Sequence, residues 1–196
     1  MSAGAAGAVV LLLVYASGHG AGGLFPVAVY ALCLMTMLAC SAAYNLAPPS
    51  SQRALLRRFD HAAIFLMIAG TYTPFTALRL GGTWSILLTA GVWSLALAGA
   101  AAKFAFPRRL EGASVALYLA LGWIGVVAAR PIFAALDLPT LLLLAAGGLL
   151  YTVGTGFHLW RALPFQNAIW HGCVLSAAAC HYAAVLHGVA LAGAAL

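Results

Sequence analysis

The sequence predicts an all-α integral membrane protein: a single domain over residues 1–196, built as a bundle of about seven transmembrane helices, amino terminus in the cytoplasm and carboxyl terminus outside. Three observations carry that expectation. Hydrophobic residues make up 65% of the chain and charged residues only 6%, with a mean hydropathy of +1.04, more apolar surface than a soluble core can hide. Apolar runs of span length recur from end to end, broken by Gly- and Pro-containing turns. The basic residues fall in those turns and mostly on one side: Arg53, Arg57, Arg58, Lys103, Arg108, Arg109 and Arg161 against Arg79 and Arg130, the bias that orients a chain in a membrane. The net charge of +6 is therefore a topology signal, and the absence of a basic patch or stripe speaks against nucleic acid as a partner.

Ala5 to Ala16 is the first apolar segment. No basic residue precedes it, so it reads as a retained, rather short span and not as a signal peptide. The turn Gly18 to Gly23 carries His19 and no charge. Leu24 to Leu46 is the second span, stopped by Pro48-Pro49, which lead into Arg53, Arg57 and Arg58 in the most polar turn of the chain. Span three runs from about Asp60 to Leu78 with Pro74 late in it, Gly81-Gly82 make the next turn, and Thr83 to Ala102 is span four. A charged turn follows with Lys103, Arg108, Arg109 and Glu111. Span five covers Gly112 to about Ala129, and Arg130 to Pro139 forms a turn. Thr140 to Phe157 is span six, His158 to Gln166 a short connection, and Asn167 to Ala190 the last span. Cys33, Cys40, Cys173 and Cys180 lie inside apolar runs without metal or redox spacing and read as small buried hydrophobes. Glycines within spans serve close helix packing.

Asp60 is the one acid set against a long apolar run. An Asp costs roughly 2.5–3.5 kcal/mol at the centre of a span and less near its end, so an acid kept here marks a functional site. The alternative is an interfacial anchor paired with Arg57 or Arg58. The topology gathers Ser41 and Asn45 at the end of span two, Asp60 and His61 at the start of span three, His158 at the end of span six, and Asn167 and His171 at the start of span seven, all near the cytoplasmic face. Ser41 and Asn45 share a helical face, as do Asn167 and His171, being four apart. One polar pocket follows, or a set of plain interhelical hydrogen bonds worth about 0.6–2 kcal/mol each. His19, His181 and His187 stand elsewhere. His181, ten residues beyond His171, is about 15 Å further along the helix and reads as a residue bonding a neighbouring helix.

Three stretches, SAAYN at Ser41 to Asn45, LLRRFDHAAIFLMIAGTYTPF at Leu55 to Phe75 and NAIWHGCVLSAAACHYAAV at Asn167 to Val185, resemble the hemolysin III family, the bacterial branch of the progestin and adipoQ receptor superfamily of seven-span membrane proteins. The resemblance covers nearly the whole chain. It implies a pattern of Ser-x-x-x-His closing the second span, Asp opening the third and His-x-x-x-His opening the seventh, with the three histidines on zinc and the Asp and Ser beside it. A site of that kind looks like a zinc hydrolase, whose metal lowers the pKa of a bound water toward about 7, and related membrane proteins are suspected amide hydrolases acting on lipids.

This sequence departs from that pattern. Ser41, Asp60 and His171 are present, but Asn45 and Asn167 stand where the other two histidines belong. A neutral amide oxygen is a poor zinc ligand beside imidazole. His61 and His158 are the available substitutes, though His61 points about 100° away from Asp60 around the helix and His158 comes from a span that supplies no family ligand. The favoured expectation is an integral inner-membrane protein with a degenerate zinc site and a role in membrane and lipid homeostasis, its partners being membrane lipids. The alternatives are a metal-dependent hydrolase with Asp60 as base and Ser41 as oxyanion or supporting donor, and the pore-forming, cytolytic activity in the family's name, which the spans do not argue for because they show no polar stripe.

Overall fold

The structure is a computed structural model that describes residues 2–19, 23–106 and 111–192, and every element among them is helical. The helices are α1 (Ser2–His19), α2 (Leu24–Leu46), α3 (Ser51–Leu78), α4 (Gly82–Ala105), α5 (Glu111–Gly122), a 3-10 stretch (Ile124–Ala128), α6 (Ala129–Ala135), α7 (Leu138–Leu159) and α8 (Gln166–Val185), which runs on as π-helix over Leu186–Leu191. Six apolar helical stretches are long enough to cross a membrane, counting Ala113–Ala135 as one, while the apolar part of α1, Ala6–His19, is shorter than the ~20 residues a span needs.

The third helix is the axis of the bundle. Of its apolar stretch 61% is buried inside the protein, against 39% or less in the other five, and it packs on α2, α4, α5 and α8. Its sequence explains this, because Ala62, Ala63, Ala69, Gly70, Thr71, Thr73 and Thr76 are small, buried residues that let neighbouring backbones close in. At Gly70 a methyl group would come within 2.6 Å of the Cys33 Cβ on α2. The threonines also tie α3 to α4. Trp93 Nε1 donates to Thr73 Oγ1 (3.0 Å), Thr89 Oγ1 to Thr76 Oγ1 (2.7 Å) and Ser85 Oγ to the Thr76 carbonyl (2.6 Å). Ser85, Thr89 and Trp93 are spaced by four and make one stripe. In hydrocarbon, where water is not available as a partner, such bonds satisfy polar side chains of α4 and the Thr76 carbonyl near the end of α3.

Several boundaries differ from the sequence expectation. Span two begins and ends where expected, with Pro48-Pro49 in the short link Ala47–Ser50. The third helix starts at Ser51 and not at Asp60, because Gln, Arg, Ala and Leu are good helix formers, so Arg53, Arg57 and Arg58 ride its first turns instead of a loop. Lys103 belongs to α4, is only 5% exposed and lies 5.9 Å over the Tyr118 ring; Arg108 and Arg109 lie outside the described residues, as do residues 20–22 of the Gly18 to Gly23 turn. Gly18 and His19 are helical, the His19 ring stacked on Tyr15.

The expected turn Arg130 to Pro139 is helical over Ala129–Ala135, leaving Leu136-Asp137 as the link. Pro131 is tolerated because the first N–H groups of a helix have no internal partner anyway. Instead the fifth span is interrupted at Gly122, where Tyr72 from α3 repairs the break: its hydroxyl donates to the Gly122 carbonyl (2.6 Å) and accepts from the Gly125 N–H (3.0 Å). All four cysteines are free thiols.

Candidate functional site at the mouth of an internal cavity

A cavity of about 750 Å³ runs between α2, α3, α5, α7 and α8. Its walls are largely apolar, and at one end Ser41 and Asn45 from α2, Asp60 from α3 and His171 from α8 line it together. The helical period explains the selection on α3: Asp60, Ile64, Met67, Ile68 and Thr71 line the cavity, one face of a 3.6-residue turn. His61 falls off that face, as its offset predicts, and its carbonyl accepts the Tyr118 hydroxyl at 2.9 Å.

Two of the four are hydrogen-bonded and the other two lie close by. Asn45 Nδ2 donates to the Ser41 carbonyl (2.8 Å) and to Ser41 Oγ (3.3 Å), and the Asp60 carboxylate is within electrostatic reach of the Ser41 hydroxyl and of His171. The Ser41 hydroxyl, accepting from Asn45, keeps its own proton for an acceptor, and a carboxylate is acceptor-only.

The other two residues expected here stand apart. Asn167 is exposed, one turn before His171, and does not line the cavity. His158 lies behind the wall: its ring packs on Trp170 at 5.1 Å, its carbonyl accepts from Gln166 Nε2, and its Nδ1 is buried without a partner. Among the described residues no three His, Cys, Asp or Glu side chains gather where one ion could be held. One imidazole and one carboxylate at the mouth fall short of the three protein ligands that even an open zinc site uses, so the residues present do not fit zinc.

Two histidines outside the cluster have definite places. His181 lines the cavity further along α8 and its Nε2 meets the Leu144 carbonyl of α7 at 3.3 Å, the neighbouring-helix bond expected of it. His187, in the π-helical end of the chain, sits 3.1 Å from Thr140 Oγ1 and 3.4 Å from Asp137 Oδ2. The sequence expectation placed Asp137 only within the turn from Arg130 to Pro139 and missed this contact. The signal was there in Asp137-Leu138-Pro139-Thr140, a helix cap followed by proline in the first turn, and Asp137 Oδ1 indeed accepts the Thr140 N–H at 3.4 Å. The hydrogen bonding from Thr140, with His187 nearby, holds the Asp137 carboxyl below its usual range.

The model of the family described as "Haemolysin-III related" matches residues 2–182. Among known proteins, the chain is 36% identical over 180 residues to the "Hemolysin-3 homolog" of Bacillus subtilis (strain 168), covering 91% of this chain and 84% of that one. It is 38% identical over 180 residues to the "Hemolysin-3" of Bacillus cereus, covering 91% and 82%. With the "Monocyte to macrophage differentiation factor" of Homo sapiens it shares 30% identity over 127 residues, 64% of this chain and 52% of that protein. No solved structure matches the chain.

Proposed function

The chain belongs to the hemolysin III family, and on that premise we propose that it is a bacterial plasma-membrane protein that holds one lipid molecule in its cavity without a zinc ion, in the service of membrane lipid homeostasis. The single observation that carries this reading is the shape of the polarity. A cavity of about 750 Å³ is apolar along most of its length and polar at one end, where Ser41, Asn45, Asp60 and His171 meet. That is the pattern of a site for an acyl chain with a polar head, since pockets of this size are lined mainly by apolar groups and oriented by a few polar ones. Asp60 and Ser41 would hold the head: the carboxylate accepts from an amide or hydroxyl of the lipid, and Asn45 keeps the Ser41 hydroxyl turned toward Asp60.

In this reading α1 is a seventh crossing, shortened but packed into the bundle. Its Leu11 is fully buried, and its Gly7 carbonyl accepts the Tyr182 hydroxyl at 2.8 Å. The amino terminus and the polar mouth then face the cytoplasm, on the side with the excess of arginines, and Asn45 and Asn167 mark the two places where a metal-binding relative would carry imidazoles.

Native mass spectrometry of protein extracted in mild detergent, with zinc quantified in the same sample, tests the proposal. Expected are a retained lipid adduct of about one per chain and well under one zinc. A chain that carries no lipid overturns the reading, and stoichiometric zinc replaces it with a metal-dependent hydrolase built on His61 or His158.

A further inference from the structure

Away from the Asp60 end of the cavity, two further polar side chains line the wall. His181 lines it about 15 Å beyond His171 along α8, and Tyr151 of α7 lines it beside His181, ring centroids 5.6 Å apart. The imidazole is fixed in place. At Gly147 of α7 even a methyl group would overlap the ring, and the Ala177 carbonyl lies 3.2 Å from where that methyl would be. With Nε2 directed at the Leu144 carbonyl, that nitrogen carries the proton of a neutral imidazole and Nδ1 keeps its lone pair.

Most other polar groups of the inner wall are already committed. Thr71 Oγ1 donates to the Met67 carbonyl (2.9 Å), Thr155 Oγ1 to the Tyr151 carbonyl (2.8 Å), and Tyr72 to Gly122. Tyr30, within electrostatic reach of Tyr151, has a fully buried hydroxyl with no hydrogen-bond partner. Buried polar atoms are partnered as a rule, so this layer of the bundle holds more polar capacity than the protein itself uses.

We propose that His181 and Tyr151 form a second polar station in the cavity, one that selects a lipid whose acyl chain carries a hydroxyl group along its length over the same chain without it. A plain acyl chain leaves His181 Nδ1 and the Tyr151 hydroxyl against hydrocarbon. A chain hydroxyl gives its proton to Nδ1 and accepts from Tyr151, while the lipid's amide or hydroxyl head stays at Asp60 and Ser41. A site built to hydrogen-bond a hydroxyl discriminates against the analogue that lacks it, because its own polar groups are then left unpaired.

This inference rests on the lipid reading of the cavity, and one experiment separates the two. The full chain in detergent is titrated with stearamide and with its mid-chain hydroxy derivative, whose neutral amide heads can donate to Asp60, and bound ligand is read by native mass spectrometry. The wild type should bind the hydroxy form about three- to tenfold more tightly, the worth of one or two net hydrogen bonds. His181→Phe should bring that ratio to about one while stearamide still binds, and Tyr151→Phe, which keeps the ring and serves if the first variant does not fold, should lower it. Binding of stearamide with no preference in the wild type, as when a water already fills the station, overturns the inference and leaves the lipid reading standing, and so does a preference that both variants retain. Binding of neither amide overturns both.

Discussion

Replacing Gly147 by alanine sets two opposed effects against each other at the α7–α8 contact. In a helix with open space around it, Gly→Ala stabilises by about 0.5–1 kcal/mol, because alanine loses less backbone freedom on folding. Gly91 of α4 is such a place, with nothing within 4 Å of the position a Cβ would take. At Gly147 the same gain meets the His181 ring and the Ala177 carbonyl at 3.2 Å. The ring has nowhere to go without leaving its bond to the Leu144 carbonyl and its packing on Tyr151. Overpacking of this kind costs about 1–3 kcal/mol, and the lost hydrogen bond about 0.5–1.5 kcal/mol more. The steric terms win, and Gly147→Ala should be less stable than wild type by about 1–3 kcal/mol while Gly91→Ala is slightly more stable.

The assay is thermal inactivation in detergent at one fixed heating rate, since membrane proteins of this kind unfold irreversibly and only matched scans compare. Adding His181→Ala to Gly147→Ala removes the obstructing ring, so the double variant should lose less than the sum of the two single losses. Equal stability of Gly147→Ala and Gly91→Ala, or strict additivity in the double variant, would refute the close approach of the two helices at His181.

Four further outcomes are expected. Asp60→Ala should cost about 1–3 kcal/mol by removing the carboxylate that stands within reach of the Ser41 hydroxyl and His171, with Asp60→Asn milder; a detergent melting curve unchanged by both would deny Asp60 a place in a polar cluster at this end of the cavity. Asp137 has a folded pKa below its unfolded one, so its contribution is complete above the ordinary Asp value of about 3.9 and vanishes as pH falls through the folded pKa. The stability gap between wild type and Asp137→Asn should thus close on acidification below about pH 4, and a gap that widens there would reverse the sign argued. Asn45→His with Asn167→His should raise zinc content well beyond either single change, since three imidazoles complete what one cannot; a folded double variant with no more zinc than the singles would mean that the two positions do not share a site. A reporter fused after Leu196 should report periplasm and one inserted near Arg108 cytoplasm, and the opposite result at both points would put the polar mouth on the other side of the membrane.

What could be read in the sequence was periodicity and composition. The second helix was legible to both ends because Pro48-Pro49 stop any helix. The start of α3 was not, because hydropathy marks where a chain enters hydrocarbon, while helix ends are set by caps and breakers, and none stands between Ser51 and Asp60. The break at Gly122 depends on Tyr72, fifty residues away, and no local pattern announces a side chain that satisfies a backbone from another helix.

The candidate site divides along the same line. Ser41, Asn45, Asp60 and His171 were placed together by topology and the helical period, and one cavity takes all four. Asn167 has the right period but stands exposed beyond the cavity, since a period tells which face a residue shares and not how deep a neighbouring helix reaches along it. His181 read as a residue bonding a neighbouring helix, and so it does, but its partner, the Leu144 carbonyl, is a backbone atom that every residue type supplies and no pattern could name. Its second nitrogen acquires a role only when the cavity beside it is known, and from that cavity, not from the helix, the inference of a hydroxylated ligand proceeds.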